Sequence, residues 1–207
     1  MKKVLYSILL MGCSLIGWAQ NSDAILQQIE KSNALYSTIE ADFIQTKTLA
    51  ANGKETKSSG KLYLSGNNQM AMHYEAPSTD LLIINGDEFF MERGKKKNRF
   101  NTEKNKTMRN LRNTLLLCLH GKPAQLAEEN EATVDFKNMS AGYSVTLTTQ
   151  KKSPRGYKQI VLDYDKRTYL LTKMKMEEWN GNTTLYEMNN PQTNRSIDEK
   201  HYEIPKK

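Results

Sequence analysis

Cysteine is nearly missing from this 207-residue chain, which holds only Cys13 and Cys118. Histidine is almost as scarce: His73, His120 and His201 stand in unrelated contexts, and no His-Glu-x-x-His or similar spacing could hold a metal. No serine-nucleophile elbow, phosphate-binding loop or dinucleotide fingerprint occurs. The five prolines and 11 glycines form no linker tract, and there is no internal repeat or low-complexity segment. Beyond Trp18 no window approaches the roughly 20 apolar residues of a membrane-spanning helix. These absences exclude a disulfide scaffold, a helical channel and the enzymes that such motifs mark. Glu128, Glu129, Glu131 and Asp135 do cluster, yet they lack the apolar neighbours that would raise a carboxyl pKa and read as a solvated loop and strand start. Cys118 falls on the apolar side of a helix with no base beside it in sequence, the setting of a buried, inert thiol.

What the chain does have begins with a leader. Met1-Lys2-Lys3 is a basic start, Val4 to Trp18 is an apolar run, and Gly17-Trp18-Ala19 puts small residues at −3 and −1 of a signal peptidase site. The reading is a signal peptide over residues 1–19, cleaved after Ala19, exporting a single domain over 20–207. The rival is a lipidation box, Leu10-Met11-Gly12-Cys13, in which Met fits poorly before the glycine and the apolar run continues past the cysteine. Cleavage removes Lys2 and Lys3, lowering the formal charge from +7 to +5, and leaves Cys118 as the lone thiol. Without a disulfide, stability must come from the core, and chains of this size bury around 70% of their unfolded surface. The densest basic stretch, Arg93 to Arg99, reads as a solvated hairpin tip; its functional reading is contact with an anionic membrane surface or an acidic partner, since export removes nucleic acid from reach.

Periodicity supplies the elements. Ser22 or Asp23 can cap a helix running to about Ser37, with Ile25, Ile29 and Tyr36 on one face. From Ala41 the period becomes two: Phe43, Gln45 and Lys47 oppose Asp42, Ile44 and Thr46, and Leu62 and Leu64 oppose Lys61, Tyr63 and Ser65. After a Gly66-Asn67-Asn68 turn, Met70, Met72 and Tyr74 alternate with Ala71, His73 and Glu75. Asn85-Gly86 and Asn180-Gly181 are hairpin signals, because both residue types tolerate positive φ. Val145 and Leu147, then Ile160, Leu162 and Tyr164, continue the alternation. A helix from Asn105 to His120 interrupts it, with Met108, Leu111, Leu115, Cys118 and Leu119 at three- and four-residue steps. Gly121 reads as its C-terminal cap and Pro123 as a stop, and a cationic His120 in its last turn would suit the helix dipole. His201 lies near a terminus expected to fray. The pattern predicts a mainly β fold, a strongly curved antiparallel sheet covered by two apolar-faced helices. Met70, Met72, Met174 and Met176 sit at strand spacing, and Met adapts to varied apolar partners.

These segments carry a family likeness. Ala41 to Lys47, Gly60 to Leu64, His73 to Pro77 and Leu82 to Phe90 resemble, in order, the N-terminal strands of the LolA family, periplasmic carriers of outer-membrane lipoproteins. Tyr143 to Thr149, Lys158 to Asp165, Asn180 to Thr184 and Ile197 to Pro205 resemble that family's closing strands. The resemblance implies an unclosed antiparallel β-barrel with helices lying over its mouth, whose interior receives the acyl chains of lipoproteins. It implies a periplasmic monomer without cofactor or metal, taking cargo from an inner-membrane ABC transporter and passing it to an outer-membrane acceptor. Aligned on Gly60 and Pro77, the family's turn with a lid-holding arginine falls on Gly66-Asn67, so that latch is missing here. Either another group closes the lid or the cavity stands more open.

Phe43, Leu62, Leu64, Met70, Met72, Tyr74 and Leu115 are the candidate lining of the acyl cavity, with no catalytic residue among them. The alternative is an envelope module that binds or senses a lipid or lipoprotein and transports nothing. An enzyme acting on lipid or glycan lacks an acid, base or metal set.

Overall fold

The structure, a computed structural model, describes residues 16–150 and 156–205, so the basic start of the leader and the box ending in Cys13 lie outside the described residues. The strands are β1 (Thr38–Thr48), β2 (Glu55–Ser65), β3 (Gln69–Ala76), β4 (Leu81–Asn85), β5 (Glu88–Arg93), β6 (Lys96–Asn101), β7 (Ala132–Asn138), β8 (Gly142–Thr149), β9 (Tyr157–Asp165), β10 (Leu171–Glu178) and β11 (Thr183–Thr193). They form one antiparallel sheet in the order β6-β5-β4-β3-β2-β1-β11-β10-β9-β8-β7. Two meanders, β1 to β6 and β7 to β11, thus meet at a seam where β1 pairs with β11. β6 and β7 each pair on one side only, so the sheet is not closed.

Strand alternation decides what the sheet encloses. Phe43, Leu62, Met70, Ile84 and Phe89 from the first meander share one core cluster with Val145, Leu162, Met174 and Met188 from the second. A flat sheet could not bring β5 and β8 into the same cluster; the curvature does, leaving the apolar face concave. Gly60 lies between Phe43 and Tyr74 in register, and a Cβ there would collide with the His73 carbonyl oxygen. Its missing side chain lets the rings of Phe43 and Tyr74 meet at 5.0 Å, edge to face.

Among the described residues three α-helices accompany the sheet: α1 (Ile16–Asn33), α2 (Lys106–Leu119) and α3 (Pro123–Glu129). α1 begins ahead of the expected Ser22 or Asp23 cap, through the bond after Ala19, because no proline interrupts it. It ends four residues before Ser37: Asn33 Nδ2 donates to the carbonyls of Ile29 and of Tyr169, fixing the exit, and Tyr36 instead donates its hydroxyl to the Thr168 carbonyl. Pro123, expected only to stop a helix, also starts α3, since its fixed φ and missing N–H suit the first helical position. Glu128 and Glu129 accordingly sit at the end of α3 rather than in a loop, and Asp135 lies within β7. The loop at Asn85-Gly86 is centred one residue later than the dipeptide suggests: Asn85 pairs with Glu88 around Gly86 and Asp87.

The C-terminal segment does not fray. Its 3₁₀ turn, Glu199–Tyr202, buries Tyr202 against Tyr63, Ala71, Ile83 and Phe90 on the convex face, with Ile197 and Ile204 beside them. The His201 ring stacks on Tyr63 with centroids 3.8 Å apart, and His73 Nε2 lies 2.9 Å from the His201 carbonyl oxygen. Four apolar residues on the outer register of β2 to β5 need a cover, and this strap is it.

Candidate functional site

The concave face of the sheet is built from the residues that alternation selected, and α2 is seated in it. Asn105 Oδ1 caps the helix by accepting from the Met108 amide at 3.1 Å, and Gly121, at φ +62°, lets the chain leave. A Cβ on Gly121 would lie 2.6 Å from Asn33 Nδ2, so the end of α2 is pressed against the end of α1. Six consecutive residues, Thr114 to Leu119, are buried. A helix that is covered all round is inside something; this half of α2 fills the concavity, packing on β10 and α3.

All seven candidate lining residues come together there. Phe43, Leu62, Leu64, Met70, Met72 and Leu115 are each at most 3% exposed and belong to one cluster, and the half-buried Tyr74 packs against it. Only about 20 Å³ of space, the room of a single water, remains where Leu62 and Leu64 face Leu119 and Leu171. Apolar groups are therefore assembled, but α2 occupies the volume between them. Burial pushes the Cys118 thiol up, so it stays protonated and unreactive. Farther along the same face Gln45 is buried and hydrogen-bonded to Tyr74 and Tyr186, whose hydroxyls burial also holds neutral. A 220 Å³ recess beside them is rimmed by Lys47 and Arg93; burial first, and then the Arg93 charge, lower the Lys47 pKa.

One tie holds the buried end of α2 to the sheet. His120 caps the helix with both ring nitrogens directed at carbonyl oxygens: Nδ1 lies 2.7 Å from that of Leu116, and Nε2 lies 2.5 Å from that of Gly66, in the turn between β2 and β3.

Residues 34–205 match the family model described as outer membrane lipoprotein carrier protein LolA. The chain belongs to that family. Its structure is similar to that of an uncharacterized conserved protein from Thermus thermophilus, at 10% identity and a TM-score of 0.53, covering 90% of this chain and 96% of that one. It is also similar to the LolA superfamily protein NE2245 from Nitrosomonas europaea, at 9% identity and a TM-score of 0.44, with 88% and 97% covered. A putative outer membrane lipoprotein-sorting protein domain from Vibrio parahaemolyticus aligns at 11% identity and a TM-score of 0.48, with 86% and 94% covered. At 10% identity the likeness to the Thermus thermophilus protein shows the fold alone. No curated protein matches the chain.

Within this LolA-family chain, the turn at which the sequence lacks the expected arginine is the turn that His120 reaches. The contact runs in the opposite sense, with the side chain on the helix and the carbonyl on the turn. Sequence reasoning placed His120 correctly at the end of α2 and missed its partner, which is 54 residues away. It also missed a recess of about 1130 Å³ between α1, α3 and the free edge β7, where Leu26, Val134, Phe136 and Met139 face a polar rim that includes Asp23 and Lys137. The signal was present: Val134 and Phe136 alternate with Asp135 and Lys137.

Proposed function

We propose that this chain is a periplasmic carrier that shields the acyl chains of lipoproteins and moves them, as a monomer, from an inner-membrane ABC transporter to an acceptor at the outer membrane. The observation that carries this reading is the seating of α2: a helix buried over its last six residues covers an apolar concave face in a chain of the LolA family. In it the leader over residues 1–19 exports the domain, and Phe43, Leu62, Leu64, Met70, Met72, Tyr74 and Leu115 become cavity wall when α2 withdraws. His120 takes the place of the absent arginine as the latch. The residues act by packing and by opening, with no catalytic group.

A magnitude constrains the mechanism. Three acyl chains of about 16 carbons gain about 0.8 kcal/mol per methylene on leaving water, of order 35 kcal/mol together. Non-covalent binding saturates near 18 to 21 kcal/mol. Cargo therefore passes from one apolar surface to another without crossing water, and α2 is the part that must move. Native mass spectrometry of protein purified from its own cell envelope tests the reading, with an acylated mass expected on the carrier. A bound partner protein with no acylated mass, together with normally sorted lipoproteins after depletion, would instead establish a sensing module.

A further inference from the structure

We propose that the free edge β6, together with the start of α2, is a docking surface for an anionic phospholipid membrane. Residues 93–112 hold nine of the chain's 30 basic residues and only one of its 23 acidic ones, so the rest of the protein is within one charge of neutral. The nine run along the β5–β6 hairpin, the following loop and the first turns of α2. Eight of them are exposed, and Arg112 is half-buried, donating Nε–H to the Gly86 carbonyl. Lys97 and Arg99 are paired with Glu92 and Glu88; Arg93, Lys95, Lys96, Lys104, Lys106 and Arg109 have no ion pair among the described residues.

Lysines on an unpaired strand have an ordinary purpose, to prevent edge-to-edge association. That accounts for Lys96 and Lys97 and not for Lys104, Lys106 and Arg109. These gather at the N-terminal end of α2, where the helix dipole disfavours cations, and the first turn has no acidic residue to offset them. Charge is also divided between the sheet's two free edges: α3, β7 and the turn between them at the other edge carry the exposed Glu128, Glu129, Glu131 and Asp135. A molecule polarised this way is oriented by a charged plane.

The occupant is a membrane rather than an acidic protein because the patch offers charge without shape. Shape-matched interfaces centre on buried aromatic anchors, and the one aromatic in this segment, Phe100, packs inward on the core. Long exposed side chains distributed over strand, loop and helix suit a diffuse layer of headgroups. Docking here would bring the start of α2 to the lipid surface.

The test needs no cargo, so its failure would leave the carrier reading standing. The purified exported domain, residues 20–207, is mixed with phosphatidylcholine vesicles with and without phosphatidylglycerol, and bound protein is measured by sedimentation. Binding is expected only with phosphatidylglycerol, and it is expected to fall as salt shortens the screening length from about 10 Å at 0.1 M to about 3 Å at 1 M. Each cation removed lowers the partition coefficient about fivefold, so Lys95→Gln, Lys96→Gln and Lys106→Gln together lower it roughly a hundredfold. Replacing the exposed Lys137, Lys166 and Lys175 by Gln removes the same charge elsewhere and is expected to leave binding within about twofold. Equal loss in both triple variants, equal binding to both vesicle types, or capture of an acidic protein by an otherwise vesicle-inert chain would overturn the proposal.

Discussion

At the scale of single residues, His120 and Asp165 make opposite use of the same chemistry. His120 directs its two ring nitrogens at two carbonyls that belong to different elements. Two such contacts at about 0.5–1.5 kcal/mol each imply that His120→Ala lowers stability by about 1–3 kcal/mol. Denaturant unfolding measures that cost, while hydrogen exchange at the α2 amides shows whether the loss is concentrated there. Asp165 is an acceptor: its Oδ1 receives the Thr168 amide at 2.7 Å, the Thr168 hydroxyl at 2.8 Å and the Arg167 amide at 3.1 Å, shaping the turn between β9 and β10. The Thr168 bonds first, and Arg167 after them, hold its carboxyl below the usual range. With the folded value depressed, its contribution is fully present above the unfolded value near 3.9 and disappears as pH falls through the folded one. Acid titration of the unfolding midpoint should therefore show a downward limb below about pH 4 that Asp165→Ala weakens.

At the scale of elements, α2 is the segment on which function turns, and Cys118 reports its position. The thiol is fully buried and burial pushes its pKa up, so alkylation requires the helix to leave the concavity. If that opening costs about 3 kcal/mol, labelling near neutral pH runs about a hundredfold slower than for a free cysteine. His120→Ala or an acylated cargo should accelerate it, and a fast rate in the closed protein would show that α2 is not a lid. Much of this element was legible from spacing alone: Leu115, Cys118 and Leu119 recur helically, Gly121 marks the exit, and Phe43, Met70 and Met72 alternate as strands do. Three features were not. Leu116 and Leu117 widen the apolar stripe beyond what a half-exposed helix needs, yet that Thr114 is buried beside them required knowing that a sheet wraps the helix. Tyr63 and Ala71 fall on the other side of their strands among polar residues, and nothing local says that the segment from Ile197 to Ile204 covers them. The Gly66 carbonyl is backbone, and no side-chain pattern announces it.

At the scale of the whole molecule, the sheet has two free edges at its ends and a seam at its middle. The basic edge and the acidic edge are different in kind, which gives the protein an orientation in a field before it touches anything. The seam is different again, because Phe43 and Met188 meet across it. A chain ending at Asn182 would leave β1 and β10 each with an unpaired side beneath an otherwise complete pair of meanders. Such a truncation should associate rather than remain monomeric, as size-exclusion chromatography with light scattering would show; a stable truncated monomer would mean that each meander is a folding unit on its own.

The seam also sets a schedule. Synthesis proceeds from the N-terminus, and local meanders can pair as they appear. β1 is among the first strands made, yet its second neighbour begins at Thr183, near the end of the chain. For most of synthesis the future centre of the sheet is an open edge. The pairing of β1 with β11 is therefore the last one that synthesis makes available, and until it forms the unfinished protein carries an open edge at its centre.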